Sequence, residues 1–202
     1  MKRIALWAGL WAMTALTLNA KENVYAGWNQ GEMEIHHICT GRGESIFLIM
    51  PDGTTLLIDA GESWNKKKPT YRVFPDTLTS GAQAIWQYLK RVAPNKDSVD
   101  YFLLSHFHSD HIGRIDVNTP HTQGRRPDYM LAGITEVAEH FHFDTYLDRG
   151  YPSYKYPKYI TSDYTLNYRN FIMYQTRWNH ARIEPFQVGQ LDQIQLKTHP
   201  AK

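Results

Sequence analysis

One stretch decides the fold of this chain, SHFHSDHIG (residues 105–113), which places three imidazoles and a carboxylate within six residues. It directly follows the apolar run YFLL (residues 101–104), which predicts a buried strand. Residues two apart point the same way where a chain leaves a strand, so His106 and His108 can approach one metal ion from the same side. The pattern predicts a metal site at the end of this strand.

A helix that starts near Ser109 would give the next two candidate ligands another direction. Consecutive helical residues diverge by about 100° around the axis, so Asp110 and His111 do not repeat the direction of the first pair and can serve a second ion. Zinc accepts imidazole nitrogen and carboxylate oxygen, and manganese or iron can take the same ligands. We therefore expect one or two zinc ions, with His106 and His108 on the first and Asp110 and His111 on the second.

The same stretch resembles the H-x-H-x-D-H-x-G signature of the metallo-β-lactamase superfamily at every defined position. The preceding sequence is also similar to the superfamily, with a G-x-G-E-S segment at residues 41–45 and a strand that ends in I-D-x-G at residues 58–61. Within the superfamily, the order of elements looks most like the extracytoplasmic hydrolase domain of competence-type DNA-uptake proteins.

This resemblance implies both a fold and an activity. The implied fold is α/β, an αββα sandwich of two βαβ-rich halves. The chain covers the first half and the start of the second, so we expect residues 21–202 to form a C-terminally incomplete domain. The implied activity is hydrolysis of an ester, amide or phosphodiester bond by a zinc-activated water, with Asp110 as the catalytic residue that orients the water. Asp59 would lie behind the metal site and orient a ligand, although capping a turn is an equal alternative.

The resemblance also implies ligands that this sequence does not clearly supply. Full-length members add a third histidine, a bridging aspartate and a final histidine from the second half. No strand followed by Gly-Asp occurs after Leu196, so the bridging aspartate is missing. Candidates for the third imidazole are His121, His140, His142, His180 and His199. Among them, His199 is favoured because it follows the alternating residues 188–196, which predict a strand.

The first 20 residues have the parts of a secretory signal peptide: basic Lys2 and Arg3, an apolar run over residues 4–18, and the small Ala20. We expect cleavage after Ala20, with a second small-residue site near Ala26, and a periplasmic or secreted protein without a membrane span. An uncleaved anchor helix is the alternative, but the apolar run is shorter than the ~20 residues that span a bilayer.

Composition limits the remaining classes. The chain has 22 basic and 20 acidic residues, and loss of Lys2 and Arg3 leaves 20 of each, so net charge does not indicate a polyanion partner. A single cysteine, Cys39, allows no internal disulfide, so stability must come from a core. About 180 residues suffice for one domain.

Two functions follow from these observations. The first is the metal-dependent hydrolase, acting on a small-molecule or nucleic-acid phosphodiester or on another ester or amide. The second is a noncatalytic exported module that binds metal or keeps only the inherited fold. Asp110 favours the enzyme, whereas the missing bridging aspartate favours the module. The sequence leaves the oligomeric state open.

Periodicity predicts the remaining elements. Strands are expected at residues 32–38, 46–50, 55–58, 101–104, 143–147 and 188–196, with a hairpin turn at 51–53. Helices are expected after Ser80 as far as Pro94, across residues 128–141, and after the capping residues 161–163.

Overall fold

The computed structural model describes residues 25–62, 79–155 and 158–198. The predicted signal peptide at residues 1–20 and the candidate ligand His199 lie outside the described residues. The boundary after residue 20 and the incompleteness expected for residues 21–202 therefore stay predictions. No helix in the described ranges is long and apolar enough to cross a membrane.

The described residues form one six-stranded sheet, with the strands in chain order. The strands are β1 (Glu34–His37), β2 (Ile46–Ile49), β3 (Thr55–Ile58), β4 (Ser98–Leu104), β5 (His142–Asp148) and β6 (Arg182–Pro185). Neighbours are antiparallel from β1 to β3 and parallel from β3 to β6. The predicted hairpin joins β2 and β3, and Gly53 supplies the positive φ of 85° that its turn requires. The α/β class is confirmed.

Four helices in the described part of the chain accompany the sheet: α1 (Gly81–Val92), α2 (Ser109–Ile112), α3 (Ile134–Val137) and α4 (Asp163–Trp178). The start of α1 is confirmed at Ser80, whose hydroxyl accepts a hydrogen bond from the backbone N–H of Gln83 at 3.0 Å, while Gln83 Oε1 accepts from the Ser80 N–H. Its buried face carries Ile85 and Leu89 at the predicted helical spacing. This face packs α1 against the sheet.

The two faces of the sheet are covered differently. Successive strand residues alternate between them, so Phe102 of β4 and Tyr146 of β5 join the large core under the helices. Tyr101 and Leu147, their chain neighbours, belong to a smaller cluster on the other face. The chain after β6 contributes to this second face, where the Gln195 backbone N–H donates to the Tyr101 hydroxyl at 3.2 Å.

Two predicted elements are wrong. The helix expected over residues 128–141 is limited to the four residues of α3, because Gly133 (φ 55°) packs so closely that a Cβ there would lie 2.3 Å from the Ile112 carbonyl oxygen. The strand expected over residues 188–196 is absent, because the Gln190 N–H closes a turn onto the Gln187 carbonyl and Gly189 has a φ of 88°.

Residues 188–196 alternate between apolar and polar side chains, but the apolar side chains do not form a buried face. Val188 and Leu191 are 93% and 94% exposed. The strand that completes the sheet is instead β6, which the sequence analysis missed because Ile183 is its one core-packed apolar residue. The reason for favouring His199, that it follows a strand, is therefore removed.

Candidate metal centre

The histidine stretch lies where the sequence predicts it, at the carboxyl end of a parallel strand. β4 ends at Leu104, and the chain enters α2 at Ser109, with His108 as the residue before the helix. Ligand sites of α/β sheets commonly lie at this edge. The loop between β4 and α2 thus presents Ser105, His106 and His108 at the sheet edge.

His106 and His108 converge. Their ring nitrogens, His106 Nε2 and His108 Nδ1, lie 3.1 Å apart. Two Zn–N bonds of about 2.05 Å at a tetrahedral angle place their nitrogens about 3.4 Å apart, so the pair fits one zinc ion with little movement. His106 is half-buried and His108 is exposed, which leaves one side of the pair open.

The surroundings of His106 favour its neutral form. Burial, followed by the nearby imidazoles of His111 and His108, lowers the pKa of His106 below its usual value. The neutral imidazole is the form that binds a metal ion, so proton competition at this nitrogen is reduced near neutral pH.

His111 is held by Asp59. Its Nδ1 donates to Asp59 Oδ2 at 2.7 Å, and the Asp59 side chain is 2% exposed. The same carboxylate accepts the Ser105 hydroxyl at 2.6 Å and the Ser105 backbone N–H at 2.8 Å. The hydrogen bond from His111 Nδ1 to Asp59 fixes the His111 ring and turns its Nε2 away from the carboxylate. A carboxylate commonly orients a metal-binding histidine in this way.

Asp110 is anchored through its backbone rather than its side chain. Its carbonyl oxygen accepts the Glu44 N–H at 2.8 Å. Its half-buried carboxylate makes no hydrogen bond to any residue in the described ranges, yet it is close enough to His106 to favour the charged form of that ring. The Asp110 carboxylate is therefore available to a ligand.

A tight backbone contact supports the stretch and explains the nearby glycines. A Cβ on Gly61 would lie 1.6 Å from the Asp110 carbonyl oxygen, and one on Gly43 would lie 2.1 Å from the Gly61 carbonyl oxygen. The Ala60 N–H donates to the His111 carbonyl at 2.9 Å. In the sequence, Gly61 stands only as the last residue of the I-D-x-G segment, whereas in the structure its lack of a side chain lets three loops meet.

The other candidate histidines lie elsewhere. His121 pairs with Asp128, His140 stacks on Trp86, and His142 pairs with Asp144. His180 is exposed after α4. Within residues 25–62, 79–155 and 158–198, no group of three or more His, Cys, Asp or Glu side chains is arranged to hold a metal ion. The described chain thus brings together a fitting pair of imidazoles without a third ligand.

Two cavities near the stretch involve residues that the sequence analysis missed. A cavity of about 420 Å³ is lined by His106 and His108 together with Arg149 and Lys158. Arg149 follows a predicted strand, and its place at the carboxyl end of β5, beside β4, is the feature that could have indicated it. Lys158 comes close to the histidines only through tertiary packing, so no local sequence pattern indicates it.

The second cavity, of about 880 Å³, contains carboxylates instead. Burial, and then the charge of Glu62, raise the pKa of Glu136 from 4.5 to about 7. Burial likewise raises the pKa of Glu62, against the effect of hydrogen bonds from the Ala82, Gly81 and Gly133 N–H groups. This cavity disfavours further negative charge.

One known family matches the chain, and the matching segment includes the histidine stretch. Residues 39–123 match the model of the metallo-beta-lactamase superfamily. This superfamily typically binds metal ions, and the match supports a hydrolase in general terms. The mixed α/β structure with its six-stranded sheet is consistent with the metallo-β-lactamase fold. No curated protein matches the chain.

Proposed function

We propose that this chain is an exported metal-dependent hydrolase in which His106 and His108 hold a zinc ion. The observation that carries the proposal is the 3.1 Å separation of His106 Nε2 and His108 Nδ1 inside the segment that matches the superfamily. Asp110 and His111 would hold a second ion, and manganese or iron would suit the same donors.

The residues around the pair have separable roles in this proposal. A bound divalent ion supplies Lewis acidity and lowers the pKa of water. Asp110, with no hydrogen bond from a described residue on its carboxylate, would orient the attacking water and take its proton. Asp59 would keep His111 in one tautomer and orientation, and Ser105 would hold Asp59 in place.

The substrate class remains broad in this proposal: an ester, amide or phosphodiester. The closer resemblance to competence-type DNA-uptake proteins stays a prediction and favours a phosphodiester, in a nucleic acid or a small molecule. The basic and apolar pattern of residues 1–20 supports export to the periplasm or outside the cell.

A metal-dependence assay on the full chain tests the proposal. The protein would be treated with a chelator, resupplied with zinc, manganese or iron, and assayed with 4-nitrophenyl acetate and bis(4-nitrophenyl) phosphate. We expect turnover that returns with metal and falls by about 100-fold or more in Asp110→Asn, since a positioned acid or base contributes about 10²–10⁴-fold. Asp144→Asn, at an exposed position on β5, is the matched control and should keep full activity. Turnover that is indifferent to chelation, or to Asp110→Asn, would contradict the proposal.

The noncatalytic module is the second candidate, and one observation favours it. The described residues provide no third side chain to complete the histidine pair. Metal content separates the two candidates. Two ions per chain with turnover support the hydrolase, whereas one or none without turnover of either 4-nitrophenyl substrate supports the module.

A further inference from the structure

We propose that the cavity beside His106 and His108 is an anion subsite, in which Arg149 and Lys158 bind a negatively charged oxygen group of the substrate. The inference rests on the proposed function for its link to catalysis, but the binding itself requires only the residues of the cavity. It narrows the substrate class to phosphate esters or to compounds that carry a carboxylate.

The charge of the cavity lining supports this assignment. Among the described residues, the lining includes Arg149 and Lys158 and no Asp or Glu, and neither cation forms an ion pair with another described residue. Hydroxyl donors come from Tyr159 and Tyr164 on the same lining. Two cations on one concave lining attract anions and orient them by charge-assisted hydrogen bonds.

Arg149 is positioned by the end of β5. The preceding Asp148 is fully buried, and its carboxylate accepts the Gly150 N–H at 2.6 Å and the Tyr151 N–H at 2.8 Å, which fixes the turn around Arg149. The Arg149 guanidinium lies 5.6 Å from the centre of the Phe107 ring, a cation–π contact. Because Phe107 stands between the two histidines in the chain, this contact ties the cation to the candidate metal centre.

The segment that leads into α4 also lines the cavity. Tyr159 is held there by a hydrogen bond from Arg169 Nη1 to its hydroxyl at 2.9 Å. Ser162 precedes the 16-residue helix but places no side-chain cap on it, since its hydroxyl pairs with Thr165 Oγ1. The partial positive charge of this helix end adds to that of Lys158, although Asp163 in the first turn offsets part of it.

The size of the cavity suits a small charged group with its neighbouring substituents. About 420 Å³ lies within the range of ligand pockets, which is roughly 300–1,000 Å³. The larger cavity nearby has a different lining, with four acidic side chains, Glu62, Asp116, Glu136 and Glu139, and one Arg, Arg114.

Binding measurements with inert probes test the subsite separately from hydrolysis. Isothermal titration of the full chain, as purified and after chelation, would use phenylphosphonate, 4-nitrobenzoate and the uncharged 4-nitrobenzamide. We expect at least one anion to bind about tenfold or more tightly than the amide, because hydrogen bonds to charged groups are the strong ones. Preference for phenylphosphonate would assign phosphate esters, and preference for 4-nitrobenzoate would assign carboxylates.

The variants identify the residues responsible. Arg149→Gln and Lys158→Gln should each weaken binding of the preferred anion by about tenfold and leave the amide unchanged. Arg91→Gln removes an exposed cation from the last turn of α1 and should have no effect. Circular dichroism would check folding, and Arg149→Lys would supply a second variant that keeps the charge and should retain part of the affinity.

The outcomes distinguish the subsite from the hydrolase. Anion binding that depends on Arg149 and Lys158 without any turnover supports the subsite and counts against the proposed function. Metal-dependent turnover with equal binding of charged and uncharged probes, or with binding unchanged in both glutamine variants, overturns the subsite and leaves the hydrolase standing.

Discussion

Two cavities near one edge of the sheet differ in charge. Two carboxylates three residues apart, Asp59 and Glu62, also have different surroundings on the two sides. Asp59 contacts Ser105 and His111 beside the histidine cavity, whereas Glu62 lines the acidic cavity. Asp59 has side-chain donors around it, including an imidazole. Glu62 has backbone N–H groups and a neighbouring acid, Glu136.

The volume of a cavity alone therefore does not identify the site. The larger cavity collects carboxylates that burial drives toward the neutral form, as the raised pKa values of Glu62 and Glu136 indicate. The smaller one combines cations, hydroxyls and paired imidazoles, which suit a metal ion and an anionic substrate. We therefore assign the proposed chemistry to the smaller cavity.

Removal of the buried carboxylate on the histidine side should have the largest effect on stability. Asp59→Ala leaves the Ser105 hydroxyl, the Ser105 N–H and the His111 Nδ1 without their acceptor, and it places alanine at a φ of 57°. We expect the free energy of unfolding in urea to fall by about 4 kcal/mol, since each of the three orphaned donors costs about 1 kcal/mol and a left-handed backbone about 1 kcal/mol more.

Two variants control this prediction. Asp59→Asn keeps the size and tolerates the left-handed backbone, so its loss of stability should be smaller. Asp144→Ala, at an exposed position, should change the free energy of unfolding by less than about 0.5 kcal/mol. Equal stability of Asp59→Ala and the unmodified protein would mean that the carboxylate does not organise the stretch.

The raised pKa of Glu136 in the acidic cavity should make the free energy of unfolding depend on pH. The pKa of Glu136 is raised from 4.5 to about 7 in the folded chain, so the folded state keeps a proton that the unfolded state has lost. Stability should therefore fall as the pH rises from about 4.5 to 7. In Glu136→Gln this fall should shrink, and at pH 7.5 the variant should be more stable by about 1 kcal/mol, a value reduced for solvent screening of a half-buried group.

Denaturant unfolding of both proteins between pH 4.5 and 7.5 measures this effect. Glu32→Gln, at an exposed position, should leave the profile unchanged. A Glu136→Gln profile parallel to that of the unmodified chain would show that Glu136 carries its charge in the folded state, and the contrast between the cavities would be lost.

The sequence was sufficient for the features that depend on local pattern. The hairpin at Gly53, the Ser80 cap and the strand before His106 all follow from turn chemistry, capping and apolar runs, and the structure has each of them. The convergence of His106 and His108 follows from their spacing after a strand.

Features made by distant parts of the chain were not predictable in the same way. Asp59 and Ser105 are 46 residues apart, and their hydrogen bonds depend on the pairing of β3 with β4. Lys158 reaches the histidine cavity only because α4 packs near β6 and α2. Residues 188–196 misled because alternation marks a strand only when one face is buried, and Val188 and Leu191 are exposed.

Zinc binding by the full chain tests the central claim most directly. Titration of the chelator-treated protein with zinc, against a competing chromogenic chelator, would compare the unmodified chain with His106→Ala, His108→Ala and the control His121→Ala, whose ring is exposed beside Asp128. The account predicts at least one bound zinc, an affinity about 100-fold or more weaker in each of the first two variants, and no change in the third. A chain that stays metal-free in excess zinc, or that binds zinc equally well without either histidine, would contradict it.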